Sequence, residues 1–233
     1  MTISVVHQAP PNPHAASENR RTLDGHGVTC LSLLGAPGAG KTALLEAILP
    51  RIRSELNVAV LAADLAGTSD VQRIGALGVP AVQVLTDEQC HLTANQVQRG
   101  IAELPLSKLD LLIIENGGSL ACQSRTDLGE HLRVTVASVA DGHLVVSKYP
   151  LAFRDVALVL LTKCDLLPHV SFDLDGTLRM LARVNPGGEV VCTDARRRMG
   201  IDRVAGWLLG YLRAQRMRRL RRSRAAEPVW LPT

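Results

Sequence analysis

Aromatic residues are nearly missing from this chain of 233 residues: two Trp, two Tyr and two Phe, 3% of the total. Any core it buries must therefore be built from Leu, Val, Ala and Ile, and 233 residues suffice for a sizeable one. No apolar run reaches the roughly 18–20 residues of a membrane span. The first 21 residues lack the charged-then-apolar pattern of a secretory signal. They carry Pro10, Pro11 and Pro13, so 1–21 reads as a disordered N-terminal arm. Cysteine is sparse, odd in number and spread out, at Cys30, Cys90, Cys122, Cys164 and Cys192, with no CxxC pair. That pattern excludes a disulfide framework and points to a reducing cytoplasm. There is no internal repeat.

Balanced charge is also missing, though the totals hide it. The net charge is +4, but Arg213, Arg216, Arg218, Arg219, Arg221, Arg222 and Arg224 all fall within one short stretch. Without those seven the chain is at −3. The main body is mildly acidic, and 213–233 is set apart as an Arg-rich tail. No aromatic residue interleaves with these arginines, so base stacking on nucleic acid is not indicated. A solvated helix end, with positive charge at its negative dipole terminus, accounts for them.

What is present is a complete phosphate-binding loop, Gly35-Ala36-Pro37-Gly38-Ala39-Gly40-Lys41-Thr42. Its glycines let successive backbone N–H groups, that of Ala39 included, curl toward one anion. Lys41 brings a mobile positive charge for the β- and γ-phosphates, and Thr42 a hydroxyl for Mg²⁺. The context is right: Val28–Leu34 reads as a buried strand and Thr42–Leu49 as a helix that Pro50 ends or kinks. Further strands are expected at Val58–Ala62, Ala81–Val84, Leu109–Ile114, Leu132–Ser138, Val156–Leu161 and Glu189–Cys192, and helices near 94–103, 173–184 and 200–222. Continuous apolar strands alternating with helices give an α/β fold, a mainly parallel sheet covered on both faces.

Such a sheet binds its ligand beyond the carboxyl ends of its strands. Asp64 follows the second strand. Glu115 ends an apolar strand and opens Glu115-Asn116-Gly117-Gly118. Either carboxylate suits Mg²⁺, Glu115 through water, and Gly118 suits a backbone approach to the γ-phosphate. Thr162-Lys163-Cys164-Asp165 follows another strand and has the position and pattern of a guanine-selecting motif. Asp165 can accept from both N1–H and the exocyclic amine of guanine, and adenine has neither donor. Thr replaces the usual Asn at the first position, which predicts weaker bracing of the loop. The later base-contacting loop falls at Asp194-Ala195. Cys90-His91 and Cys122 also leave strand ends on this side, and thiolate with imidazole suits Zn²⁺ or Ni²⁺. Taken alone these three residues favour the plainer reading, since cysteine is often simply buried and no CxxC is present.

The chain resembles the hydrogenase nickel-incorporation GTPases, relatives of the urease nickel GTPases, from about Ser17 to Leu212. The resemblance lies in Ser32–Thr42, Pro80–Val84, Cys90-His91-Leu92, Ile114-Glu115-Asn116, Cys122, Lys148-Tyr149-Pro150 and Lys163–Pro168. It implies a P-loop NTPase of the SIMIBI class with a GTPase domain over 22–212. It also implies GTP hydrolysis in which Lys41, Asp64 and Glu115 take part, and Ni²⁺ or Zn²⁺ held by Cys90, His91 and Cys122. The implied partners are a second copy in a GTP-dependent homodimer, hydrogenase maturation proteins and the hydrogenase large subunit. Where the urease relatives have Cys-Pro-His, this chain has Cys90-His91. The family's Glu-Gly before Asp64 is here Ala62-Ala63, and its acidic-Lys-Pro segment is here Leu144-Val145-Val146. These departures keep open a second reading, a diverged paralogue that binds metal or partners with little GTP turnover; a urease or cobalt-enzyme metallochaperone is a further alternative.

Overall fold

Among the described residues eight parallel strands form one sheet, and the sequence pattern explains why nearly every position along its central strands is buried. The computed structural model describes residues 5–6, 12–64, 69–85 and 91–225. The strands are β1 (Val5–Val6), β2 (Thr29–Gly35), β3 (Val58–Asp64), β4 (Ala81–Leu85), β5 (Leu111–Glu115), β6 (Leu132–Ser138), β7 (Leu158–Thr162) and β8 (Glu189–Cys192). Their order across the sheet is β1-β4-β3-β5-β2-β6-β7-β8. Each pairing is parallel. A strand with both faces covered has no polar face to show, hence the continuous apolar runs. Three strands, β2, β5 and β7, begin and end slightly later than their apolar runs suggest, because the ladder rather than hydropathy sets the register: Thr29 pairs with Leu111 and Val134 with Leu158.

The helices are α1 (Ala15–Gly25), α2 (Lys41–Ile52), α3 (Ser69–Ala76), α4 (Ala94–Ala102), α5 (Leu120–Gln123), α6 (Val145–Lys148), α7 (Pro150–Phe153), α8 (Leu174–Val184) and α9 (Ile201–Ala225). One face of the sheet buries Leu31, Leu33, Val60 and Ile113 against Leu44, Ile48 and Leu49 of α2 and Val204 and Leu208 of α9. The other face buries Cys30, Leu61, Leu112 and Ile114 against Leu23 of α1 and Val97 and Ile101 of α4. A third cluster, around Phe153 and Val146, closes the β6–β7 edge. The Leu144–Val146 departure noted above thus places Val145 and Val146 in this core. Among the described residues no helix is long and apolar enough to cross a membrane.

Three expectations are corrected. Pro50 does not end α2, which runs on to Ile52. Pro50 lies on the exposed side of the helix, and the N–H of Arg53 still reaches Leu49 O (3.0 Å), so the helix tolerates the one missing donor. The expected arm over 1–21 meets a helix at Ala15–Gly25. Ala15, Asn19 and Leu23, four apart, share one buried face, and Asn19 Nδ2 donates to Ala94 O and Leu128 O, each at 2.9 Å. The Arg-rich segment does not start a separate tail at 213, because α9 continues through it to Ala225. Arg213 pairs with Glu55, Arg216 with Asp110 (3.2 Å) and Arg219 with Asp24 (3.0 Å). Part of the positive row is thus laid along the acidic body, although exposed pairs of this kind contribute only about 0–1 kcal/mol each.

Candidate functional site

The phosphate loop is the link between β2 and α2, and its conformation follows from its glycines. Gly35 closes β2 against β6 so tightly that a Cβ would lie 2.8 Å from Val136 O. Gly38 and Gly40 take φ of 76° and 92°, and Gly40 is the N-cap of α2. Such left-handed backbone suits glycine and turns the loop amides and the positive end of α2 toward one point. Ala39 is fully buried. Lys41 and Thr42, the first residues of α2, are buried as well. Lys41 Nζ donates to Gly35 O (2.8 Å) and Ala36 O (3.1 Å).

Glu115, at the carboxyl end of β5, is 4% exposed. Its Oε1 accepts from the Thr42 hydroxyl at 2.7 Å, while Oε2 is buried with no hydrogen-bond partner. Burial pushes its carboxyl above the usual range, against the Thr42 hydrogen bond and the nearby Lys41 charge. Burial likewise lowers the Lys41 ammonium, with Glu115 opposing. A half-satisfied carboxylate beside a hydroxyl in a buried cleft is costly. Hard oxygen donors arranged this way fit Mg²⁺. Asp64 is the last residue of β3 rather than the residue after it. Gly117 fits under Ala63 O, where a Cβ would lie 2.9 Å away, and Gly118 has φ 86°.

The Thr162–Asp165 motif begins on the last residue of β7 rather than after the strand. Thr162 Oγ1 donates to Ala39 O at 2.6 Å, with Ala137 O at 3.4 Å. The threonine therefore braces the phosphate loop directly. Lys163 sits at φ 57°, a backbone conformation that costs a non-glycine residue about 1–2 kcal/mol. It aims the half-buried Asp165 out of a short 3₁₀ turn, Cys164–His169. The neighbouring β8 strand supplies the second loop. Thr193 Oγ1 donates to Leu161 O (3.0 Å), and the Cys164 N–H donates to Thr193 O (3.2 Å). Asp194 turns inward on its own loop, where Oδ1 accepts from the N–H groups of Arg196 (2.9 Å) and Arg197 (3.2 Å). Ala195 is half-buried beside it.

Of the three expected soft-metal ligands, Cys90 lies outside the described residues. His91 opens the segment leading to α4, and that segment is tied to the β5 loop: the Leu92 N–H donates to Asn116 Oδ1 at 3.3 Å. Cys122 is half-buried in α5. Of two buried polar residues that organise this region, Asn116 was noted in the sequence only as part of a matching segment, with no role, and Gln123 carried no signal there. An amide side chain in a loop or one-turn helix looks like any surface residue until its neighbours are known.

A lysine, a hydroxyl and a carboxylate thus converge at the ends of β2, α2 and β5, with the Lys163–Asp165 turn at the end of β7. Residues 29–192 match the family described as the CobW/HypB/UreG nucleotide-binding domain. The chain is 38% identical over 197 residues to the hydrogenase maturation factor HypB of Escherichia coli strain K12, covering 84% of this chain and 68% of that protein. The chain belongs to the HypB family. The solved HypB of Archaeoglobus fulgidus superposes with a TM-score of 0.80 at 32% identity, over 85% of this chain and 97% of that one. HypB of Helicobacter pylori, solved in complex with nickel, gives 0.81 at 28% identity, over 86% and 94%. The fold is that of the P-loop GTPases of the SIMIBI class.

Proposed function

We propose that this HypB-family chain is a GTP-hydrolysing factor that delivers nickel during [NiFe]-hydrogenase assembly, its nucleotide state governing both homodimerisation and a Cys90/His91/Cys122 metal site. The observation that carries the reading is the buried pairing of Thr42 with Glu115 below Lys41. On binding GTP, Lys41 exchanges the Gly35 and Ala36 carbonyls for β- and γ-phosphate oxygens. The loop amides from Gly38 to Thr42 take the remaining phosphate charge. Mg²⁺ held by Thr42 and, through water, by Glu115 and Asp64 would offset charge developing between the β- and γ-phosphates. Asp165 accepts from the two guanine donors, Lys163 lies along the base, and the Asp194-Ala195 loop closes its edge. Gly118 reaches the γ-phosphate by its backbone.

Nickel enters this scheme as cargo. The nickel complex of the Helicobacter pylori relative supports it, and two thiols with an imidazole form a suitable donor set for Ni²⁺ or Zn²⁺. The recipients are the hydrogenase large subunit and its maturation proteins, in a reducing cytoplasm. The same loop begins at Glu115 and leads to Cys122, so one bistable element can answer to both ligands. The test compares the GDP form with a form holding a non-hydrolysable GTP analogue. We expect different Ni²⁺ affinities, dimers in only one state, and GTP turnover abolished by Lys41→Ala. Equal affinities and equal oligomeric states would remove the switch. Turnover no faster than in Lys41→Ala would leave a metal-binding accessory protein.

A further inference from the structure

We propose that Gln123 is the positioning residue through which the phosphate loop and the loop after Glu115 act on Cys122, and that it sets the nucleotide dependence of the metal site. The inference rests on the reading of Cys122 as a nickel ligand.

Gln123 is 1% exposed, in the one-turn helix α5, next in sequence to Cys122. Its amide spans two elements far apart in the chain. Oε1 accepts from the Gly35 N–H at 2.9 Å. Nε2 faces Gly118 O at 2.7 Å, Gly117 O at 3.0 Å and Gly35 O at 3.2 Å. Two amide hydrogens serve three carbonyls, so the side chain is saturated. Gly35 begins the phosphate loop, while Gly117 and Gly118 form the loop leaving Glu115.

The arrangement makes the amide sensitive to Lys41. The Gly35 carbonyl now accepts from both Lys41 Nζ (2.8 Å) and Gln123 Nε2. Once Lys41 transfers to a phosphate, that carbonyl loses the shorter of these two side-chain donors and keeps Gln123. Any pull of the γ-phosphate on Gly118 also reaches Nε2 directly, because the Gly118 carbonyl is its shortest contact. Buried hydrogen bonds do not stretch cheaply, so the amide must follow one loop or the other. A four-residue helix has no slack to absorb that motion before it reaches Cys122. Burying an uncharged amide with every partner present is a recognised way to hold one arrangement against another.

Gln123→Met keeps the length and removes every donor and acceptor. Gln123→Asn keeps the amide but withdraws it by one carbon. The full chain would be titrated with Ni²⁺ against a chromophoric chelator, with GDP and with a non-hydrolysable GTP analogue, and each variant melted in parallel. For the wild type we expect the two states to differ in Ni²⁺ affinity by about fivefold or more. We expect both variants to bring that ratio to within about twofold while still binding Ni²⁺ in the GDP state. A merely structural role would lower the melting temperature and leave the ratio intact. If either folded variant keeps the wild-type ratio, the inference is overturned. Cys122→Ser separates the two levels: if it binds Ni²⁺ like the wild type in both states, the ligand reading itself fails and the inference falls with it. If Cys122→Ser weakens Ni²⁺ binding and Gln123→Met keeps the ratio, only the role of Gln123 is lost.

Discussion

Thr162→Val is the sharpest test of how the guanine-type motif works in this chain. The substitution keeps the side chain's shape and removes one hydroxyl. That hydroxyl is buried and donates to Ala39 O at 2.6 Å, inside the phosphate loop. Removing it strands a carbonyl in a site that water does not reach, and leaving such an acceptor unsatisfied costs about 1–3 kcal/mol. For a chain of this size each kcal/mol lowers the melting temperature by about 2–4 °C, so a fall of about 2–12 °C is expected without nucleotide. Ala39 lies between the two left-handed glycines, so the same loss should loosen the loop that binds phosphate. We expect GDP affinity to fall at least about fivefold, since about 1 kcal/mol corresponds to nearly that factor. Thr162→Ser retains the hydroxyl and should stay within about twofold of wild type on the same scale. Calorimetric titration with GDP and thermal melts measure both effects. The reasoning fails if Thr162→Val matches the wild type in both, or if Thr162→Ser is as damaging, because the methyl packing would then matter and not the hydrogen bond.

Three further outcomes follow from local geometry. Gly129→Ala should undock α1: at φ +88° its Cβ would lie 2.5 Å from Ala16 O and 2.6 Å from Asn19 Cβ, so limited proteolysis should cut within residues 12–25 much faster than in the wild type, and an unchanged digest would show that α1 is not held there. Cys192 should react with iodoacetamide at a lower pH than an ordinary thiol, because the neighbouring Cys164 thiol holds its pKa down; its thiolate fraction rises as pH rises, and Cys164→Ala should move the midpoint up toward the ordinary value of about 8.5, whereas an unmoved midpoint would assign the shift elsewhere. Asp165→Asn should trade guanine for xanthine by about a hundredfold or more, since its amide donates where xanthine carries a carbonyl; unchanged selectivity between GTP and XTP would remove Asp165 from base recognition.

Much of the site could be read along the chain because its chemistry is local. Residues 35–42 are contiguous, their glycines are needed for one backbone path, and the flanking strand and helix are announced by their apolar patterns. Glu115 was visible because a carboxylate at the end of an apolar strand is conspicuous, and Asp165 because its motif is four consecutive residues. Helix α1 was missed because three prolines just before it resemble an unstructured arm, while its buried face is only three residues, one of them polar. The end of α2 was misplaced because on an exposed face the carbonyl that loses Pro50's N–H can turn to solvent, and the helix runs two residues further, to Ile52.

The sequence alone determined the ligand class and the sheet: a contiguous loop whose glycines allow one backbone path, and strands apolar because both faces must be covered. Tertiary structure decided everything that depends on groups distant in the chain. It decided that Thr162 supports Ala39, 123 residues away, and that Thr42 meets Glu115 while the second oxygen of that carboxylate stays unpaired. It laid the C-terminal arginines along Glu55, Asp110 and Asp24, which composition had only counted. It also brought Gln123 under Gly35, 88 residues away. An amide has no pattern of its own; its meaning comes from the buried carbonyls and N–H groups around it, and only the packed sheet assembles those.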